Sequence, residues 1–124
     1  MKLFSRSWIS SSKRRKQRKY RANAPIHIKR KLMSSALSKE LRLSVKKKSI
    51  PIRVGDQVKV LRGSFKGKTG KVTGINRGKQ RIYVSDIEFE KKDGTKKKAG
   101  IDASKLIITK LNLDDKRRLK KHEA

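Results

Sequence analysis

The sequence predicts a mainly β fold: a small barrel between a basic N-terminal arm with one or two short helices and a short C-terminal helix. From Ile50 onward, short runs of alternating apolar residues are separated by glycine-rich turns, a pattern typical of small barrels. Residues 1–52 hold 17 basic residues and one acidic residue, whereas residues 53–112 hold 16 and six. Only 33% of the 124 residues are hydrophobic, too few to place the whole chain in one ordinary core.

The basic arm is predicted to span residues 1–49. Its densest part, residues 13–21, has almost nothing to bury and is expected to be disordered on its own. Further basic clusters follow this run, which favours phosphate binding. A solvated tail or a localisation signal is the alternative interpretation of such a run.

Two helices are predicted in the remainder of the arm. The first begins at Pro25, which follows Ala24 and suits the first helical position. The second begins at Ser35 and ends before the lysines at 46–48, which suit a helix C-terminus. Its apolar residues recur at four-residue spacing and predict a packing face: Leu37, Leu41 and Val45.

The barrel is predicted for residues 50–112. Its strands carry the apolar pairs Val58 and Val60, Val72 and Ile75, Ile82 and Val84, Ile87 and Phe89, and then residues 106–108. The apolar phase shifts by one residue after Val84, which predicts a bulge at Ser85 and Asp86 that bends the strand around a barrel corner. The dipeptide at Asp93 and Gly94 predicts a hairpin. Residues 113–124 are predicted as a short C-terminal helix or tail, with the helix at 114–121.

Composition excludes several classes of function. The chain has no cysteine, so it has no disulfide scaffold, no thiolate metal site and no cysteine nucleophile. It has neither an 18-residue apolar window nor a signal-peptide core at its N-terminus, and it is expected to be intracellular without membrane insertion. A formal net charge of +28 requires a polyanionic partner, for which nucleic acid is the default and a membrane surface the alternative.

A glycine-rich segment, GSFKGKT at residues 63–69, approaches the phosphate-binding loop of nucleotide triphosphatases. Only three residues separate its glycines where that motif needs four, and the next residues have the pattern of a strand rather than a helix. The segment is instead predicted to be a tight connection between strands, in which Gly63, Gly67 and Gly70 permit positive φ and close backbone approach. Four basic side chains project from it: Arg62, Lys66, Lys68 and Lys71. Phe65 is either a stacking or wedge side chain, or a residue that caps one end of the barrel core.

The residue types give no catalytic constellation, and the chain is predicted not to be an enzyme and to have no cofactor or metal. His27 and His122 lie at opposite ends of the sequence, and phosphate contact or solvation suits His27 better than metal ligation. Asp86, Glu88 and Glu90 alternate as one exposed strand face, where they suit lysine partners better than acid–base catalysis. Tyr20 and Trp8 either stack on unpaired bases or pack on lysine and arginine stems or on another protein.

The sequence resembles a known family through a KOW motif, VGDQVKV at 54–60 followed by Gly63 and by KGKTGKV at 66–72. Its flanks also match: NAP at 23–25, RKLMSS at 30–35, LSKELR at 37–42, SIPIR at 49–53, DGT at 93–95 and SK at 104–105. Together they resemble the universal KOW-motif protein of the large ribosomal subunit, in its archaeal and eukaryotic form. The resemblance covers roughly residues 14–118. The long basic C-terminal tail of many eukaryotic members has no counterpart before Ala124.

The resemblance implies an SH3-like barrel that binds large-subunit ribosomal RNA near the polypeptide exit tunnel and supports early subunit assembly. It implies neighbouring ribosomal proteins as partners, no homo-oligomer, and a cytoplasmic location with a nuclear or nucleolar assembly stage in a eukaryote. A transcription-associated KOW module that binds nascent RNA and polymerase is the alternative. Carried onto this chain, the RNA contacts in the arm are Lys13, Arg14, Arg15, Lys16, Arg18, Lys19, Tyr20, Arg21, His27, Lys29, Arg30 and Lys31. Those in residues 62–71, which we call the KOW loop, are Arg62, Ser64, Phe65, Lys66, Gly67, Lys68, Thr69 and Lys71.

Overall fold

The structure of the protein is a computed structural model, and it describes residues 4, 7, 8 and 10–119. Within these residues the chain forms three helices, α1 (Arg14–Asn23), α2 (Ile26–Leu32) and α3 (Lys39–Val45). The strands are β1 (Ser34–Leu37), β2 (Ser49–Pro51), β3 (Gln57–Val60), β4 (Thr69–Asn76), β5 (Arg81–Glu90), β6 (Lys96–Ile101) and β7 (Leu106–Lys110). Short 3₁₀ turns occupy Ala103–Lys105 and Lys116–Arg118. No helix in the described part of the chain is long and apolar enough to cross a membrane.

The strands form one seven-stranded sheet in the order β2-β1-β7-β3-β4-β5-β6. All neighbouring strands are antiparallel except β1 and β7, which are parallel. Strand β4 changes partner along its length, because its first residues pair with β3 and its later residues pair with β5. The mainly β, barrel-like fold is therefore confirmed, although the sheet is not closed between β2 and β6 within the described residues.

The core lies on the inner face of this sheet. The alternating valines of β3 are fully buried, as are Leu106 and Ile108 of β7. Burial of such side chains is the main favourable contribution to folding in a chain so rich in charge. Leu41 and Val45 of α3 pack against this core as predicted, whereas Leu37, the third residue of the predicted helical face, lies in β1 and is itself fully buried.

Two local predictions within the sheet are confirmed. Asp86 has a left-handed backbone (φ 61°), and the pairing of β5 with β6 shifts between Tyr83 and Glu88, as the bulge requires. The hairpin closes at residues 93–94, where the backbone amide and the hydroxyl of Thr95 both donate to Asp93 Oδ1, at 3.0 and 2.7 Å. Phe89, which the sequence pattern pairs with Ile87 in the predicted strand, does not share its burial. Its side chain is 44% exposed, because it lies beyond the bulge where the hairpin extends past the core.

The prediction of disorder for residues 13–21 is not what the structure shows, since α1 covers most of this run. No residue of α1 is buried, so tertiary packing of its face does not account for the helix. Arginine, lysine and glutamine are among the better helix formers because they lose little rotamer freedom in a helix. The absence of apolar residues in this run therefore does not prevent it from forming a helix.

The predicted starts of the other two helices need correction. Pro25 is the N-cap of α2 rather than its first helical residue. Helix α3 begins at Lys39, where the side chain of Ser38 accepts a hydrogen bond from the backbone amide of Leu41. Residues 34–37, part of which the sequence pattern places in that helix, form β1 and pair with both β2 and β7. The sheet thus begins well inside the range predicted as the arm.

The predicted C-terminal helix is also wrong for its described part, because residues 116–118 form only a 3₁₀ turn; residues 120 and 121 lie outside the described residues. Side-chain interactions fix this turn. The side chain of Arg118 is 2% exposed, and its two η nitrogens donate to the two carboxylate oxygens of Asp56, which is fully buried. Asp56 also accepts from the backbone amides of Arg53 (3.0 Å) and Asn112 (2.9 Å). A bidentate ion pair therefore joins the C-terminal segment to the start of β3.

Candidate RNA-binding surfaces

The first candidate surface is α1, which presents six basic side chains and no acidic one. All six are exposed, as is Lys13 immediately before the helix. Arg14 and Arg18 are four residues apart, as are Arg15 and Lys19, so like charges are neighbours on the helix surface. Cations in the first turn also oppose the helix dipole. The arrangement has an electrostatic cost for the helix alone, which bound anions would remove.

Tyr20 and Trp8 interact with one another. Their rings stack at 4.1 Å between centroids with an interplanar angle of 19°, and Phe4 lies 5.0 Å from Tyr20 on a tilted plane. Neither of the two predicted interpretations, stacking on bases or packing on cationic stems, anticipated this cluster. Tyr20 is half-buried by it, so one face of its ring is unavailable to RNA. The cluster holds the described part of the N-terminal segment against α1.

Helix α2 carries the remaining predicted contacts of the arm. His27, Arg30 and Lys31 are exposed, and Lys29 is half-buried. The helix lies against β2, and its end is fixed by a hydrogen bond from the amide of Ile52 to the carbonyl of Met33 at 3.2 Å. Its basic side chains are therefore held at a defined position on the sheet, unlike those of α1.

The KOW loop joins β3 to β4 and is closed by its own backbone. The amide of Gly67 donates to the carbonyl of Val60 at 2.8 Å, and the amide of Val60 donates to the carbonyl of Lys68 at 2.9 Å. The last residues of the loop, 69–71, already belong to β4 and pair with β3, so the loop opens no helix and cannot act as a nucleotide-phosphate loop. Arg62, Lys66, Lys68 and Lys71 are all exposed, as are Ser64 and Thr69.

The glycines of the KOW loop serve different needs. Gly63 and Gly67 have φ of 99° and 87°, which other residues adopt only with strain. A Cβ at either would meet nothing within 4 Å, so backbone conformation alone favours glycine there. At Gly70 a Cβ would lie 2.7 Å from Val84 Cγ1 and 2.8 Å from the carbonyl oxygen of Ser85, so close approach requires glycine there.

Phe65 packs, half-buried, against the edge of the core, and Lys68 Nζ lies 5.2 Å from the centroid of its ring. This arrangement agrees with the interpretation that Phe65 caps the core. Arg62 donates to the carbonyl of Ser104 at 2.9 Å, which ties it to the 3₁₀ turn before β7. The loop therefore has a rigid base, from which Lys66, Lys68 and Lys71 extend into solvent.

The cations of these surfaces have no carboxylate partner within the described part of the chain. The ion pairs there are Arg53 with Asp115, Arg81 with Asp102 and Arg118 with Asp56, and none includes a predicted contact residue. Hydrogen bonds from Arg53 and from the amide of Arg117 hold the pKa of Asp115 below its usual range, and those from Thr95 do the same for the pKa of Asp93. The described residues hold no cluster of His, Asp and Glu able to bind a metal ion.

Helix α2 and the KOW loop lie at opposite ends of β4. Arg30 of α2 shares a cavity with Arg53, Ile75 and Arg77, at the end of β4 opposite to the KOW loop. Sequence reasoning missed Arg53 and Arg77, because they are isolated basic residues in strand-rich sequence rather than part of a basic run. It also missed the pairing of Asp56 with Arg118, which lie 62 residues apart. No local pattern connects such distant positions.

Comparison with known proteins gives a consistent result. The family of the eukaryotic ribosomal proteins L26 and their archaeal L24-type counterparts matches residues 11–123. "Large ribosomal subunit protein uL24" of Schizosaccharomyces pombe is 49% identical over 115 residues, which cover 93% of this chain and 90% of that protein. The protein of the same name from Korarchaeum cryptofilum is 48% identical over 110 residues, which cover 89% and 84%.

These matches confirm the resemblance noted in the sequence and the prediction that the chain is not an enzyme. The family match extends through α1, the KOW loop and the C-terminal turn. The chain belongs to the family of eukaryotic L26 and archaeal L24-type ribosomal proteins.

Proposed function

We propose that the protein is a structural constituent of the large ribosomal subunit that binds large-subunit ribosomal RNA through α1, α2 and the KOW loop. The observation that carries the proposal is the set of exposed cations on these elements, none of which has a carboxylate partner among the described residues. Both relatives are named as proteins of the large ribosomal subunit, which supports the same assignment.

The mechanism is neutralisation of phosphate charge on a rigid frame. Lysine and arginine side chains displace condensed counterions when they bind phosphates, and this release favours association. The sheet holds the KOW loop rigidly and fixes the direction from which α2 reaches the RNA. Sequence readout is expected to be weak, because paired RNA is recognised mainly through its backbone and shape.

The resemblance to the KOW-motif family further supports a position near the polypeptide exit tunnel and a part in subunit assembly. On this proposal the protein resides in cytoplasmic ribosomes, with a nuclear or nucleolar stage if the source is a eukaryote. Its partners are ribosomal RNA and adjacent ribosomal proteins, and no second copy of the chain is needed.

Sedimentation of a tagged protein through a sucrose gradient tests the assignment. The protein is expected in the fractions that hold large subunits, whole ribosomes and polysomes, and in large subunits alone after ribosomes are dissociated at low magnesium. A transcription-associated module would instead follow RNA polymerase and be missing from the ribosomal fractions. A variant with Lys66→Ala and Lys68→Ala is expected to shift partly to the top of the gradient, because it has fewer phosphate contacts.

A further inference from the structure

A large cavity lined by described residues lies away from the KOW loop. Its volume is about 520 Å³, within the range of small-molecule sites. Its apolar lining includes Met33 and Ile52, both buried, together with Ile75. Three arginines also line it, Arg30, Arg53 and Arg77, together with Val54, and no acidic residue does.

Three parts of the fold meet to build this cavity. Met33 caps the end of α2, and the amide of Ile52 bonds to its carbonyl. Arg53 follows β2, and Ile75 with Arg77 lies at the end of β4. Because each part is held by the sheet or by this hydrogen bond, the cavity is a preformed feature rather than a gap between mobile segments.

The cavity and the KOW loop lie at opposite ends of β4. This strand has eight residues, so its ends are about 23 Å apart at the usual rise per residue. The loop enters the strand at Thr69, whereas the cavity is lined by Ile75 and by Arg77 just beyond the strand. Ligands at the two sites would therefore be different segments of RNA or of another molecule.

The charge of the cavity is only partly compensated. Arg53 pairs with Asp115 at 2.8 Å, whereas Arg30 and Arg77 have no carboxylate partner among the described residues. A smaller cavity of about 230 Å³ shares Arg30 and Arg53 with the first and adds Lys47 and Arg117. Because the two cavities share these arginines, they form one groove lined by cations. Such a groove suits an RNA strand whose phosphates lie along the cations while one nucleotide enters the larger cavity.

We propose that the larger cavity binds one unpaired nucleotide of RNA, with its base on the apolar floor between Ile52 and Ile75. Arg30 and Arg77 contact the adjacent phosphates or stack on the base through their planar guanidinium groups. The combination of an apolar floor and cationic rim matches a nucleotide, which has an aromatic face beside an anion. An acidic peptide with an apolar anchor is the competing ligand. The inference rests on the proposed function and extends it to a second RNA contact.

Nuclear magnetic resonance of the full chain with labelled methyl groups tests this inference, using adenosine monophosphate as the probe. The methyl signals of Ile52, Ile75 and Val54, which also lines the cavity, are expected to shift on titration. Ribose 5-phosphate, which has the anion without the base, is expected to leave these signals in place. Equal shifts from both compounds, or no shift from either, would overturn the assignment. Stronger shifts with an aspartate-rich peptide ending in phenylalanine would overturn it too, and would assign the cavity to a protein partner.

Arg77→Ala is the decisive variant, and Lys79→Ala is its matched control in the same turn, outside the cavity. Loss of a charged contact to phosphate is expected to weaken nucleotide binding about tenfold in the first variant, whereas the second should stay within about twofold of wild type. Both side chains are exposed, so neither change should prevent folding. Equal affinity of the two variants for the nucleotide would show that Arg77 does not contact it, and would contradict the proposal.

Binding of large-subunit ribosomal RNA separates this inference from the proposed function. If wild-type protein binds that RNA and Arg77→Ala binds it equally well, the cavity assignment fails and the function stands. If wild-type protein does not bind the RNA at all, the proposed function fails, and the cavity assignment, which rests on it, fails with it.

Discussion

Two basic runs near the ends of the chain look alike in sequence and differ completely in structure. Residues 14–16 in α1 are exposed, without a carboxylate partner among the described residues. Residues 116–118 include Arg118, whose side chain is 2% exposed and pairs in bidentate fashion with Asp56. The comparison shows that the role of a cation in this protein depends on whether the fold itself supplies its counter-charge.

The two arrangements have opposite effects on the stability of the folded protein. The buried pair requires both partners, because either charge alone would lose its solvation without compensation. The cations of α1 repel one another, so each of them costs the helix some stability in the free protein. Removing the cation of Arg118 is therefore expected to destabilise the fold, whereas removing a cation of α1 is expected to stabilise the helix.

The largest effect is expected for Arg118→Met, which leaves the carboxylate of Asp56 buried without its counter-charge. The free energy of unfolding should fall by about 3–5 kcal/mol, measured by urea denaturation. The control is Arg117→Met, since Arg117 is exposed and its change should stay within about 0.5 kcal/mol. Similar losses in both variants would mean that the ion pair has no special role.

An intermediate effect is expected for Gly67→Val, which tests the geometry that displays the loop lysines. A Cβ there has nothing within 4 Å, so the main cost is the positive φ and should be about 1–3 kcal/mol. Gly67→Asn should cost less, because asparagine tolerates the left-handed region. Thermal melts of the two variants give the comparison, and a valine variant as stable as the asparagine variant would contradict a strained conformation.

A smaller effect of opposite sign is expected for Arg14→Glu in α1. The new carboxylate interacts favourably with the helix dipole, which stabilises the helix by about 0.3–1 kcal/mol. It also forms a favourable pair with Arg18, four residues along the helix. Amide hydrogen exchange of residues 14–23 in the free protein should therefore slow, while affinity for ribosomal RNA falls. Arg14→Gln, which removes the charge without reversing it, should lie between wild type and Arg14→Glu in both measurements. Faster exchange in the glutamate variant would show that the repulsion is not significant.

The smallest effect concerns the exposed pair of Arg53 with Asp115. The hydrogen bond from Arg53 is the main reason that the pKa of Asp115 lies below its ordinary value of 3.8. The pair therefore stabilises the fold at pH values above 3.8. This contribution is lost as the pH falls through the lowered pKa of the folded state. Arg53→Ala should raise the pKa of Asp115 toward 3.8, measured by carbon NMR titration. The pKa of Asp93, lowered by Thr95, should not move. An unchanged Asp115 pKa would exclude Arg53 as its partner.

Sequence reasoning succeeded where the signal was local. The alternating valines of β3, the phase shift at Asp86, the turn at Gly94 and the positive φ of Gly67 all follow from the properties of a few adjacent residues. The exposed cations of the KOW loop followed from the same kind of pattern.

The failures have a common cause in contacts between distant positions. Strand β1 has the sequence SSAL, which lacks a clear strand pattern and pairs with β2 and β7 from two sides. The burial of Arg118 depends on Asp56, and the cavity depends on three separate elements. Helix α1 was missed for a different reason, because the prediction weighed the absence of a core face and not the helix propensity of its arginines and lysines.

The salt dependence of binding to large-subunit ribosomal RNA tests most directly whether the unpaired cations bind phosphates. Wild-type affinity should fall by roughly 10³–10⁵ between 50 and 200 mM salt if about 6–10 phosphate contacts form. The double variant Lys66→Ala and Lys68→Ala should have a salt slope smaller by about two units, with an unchanged melting temperature. A double variant with the wild-type slope and affinity would contradict the account, since the exposed loop cations would then not touch the RNA.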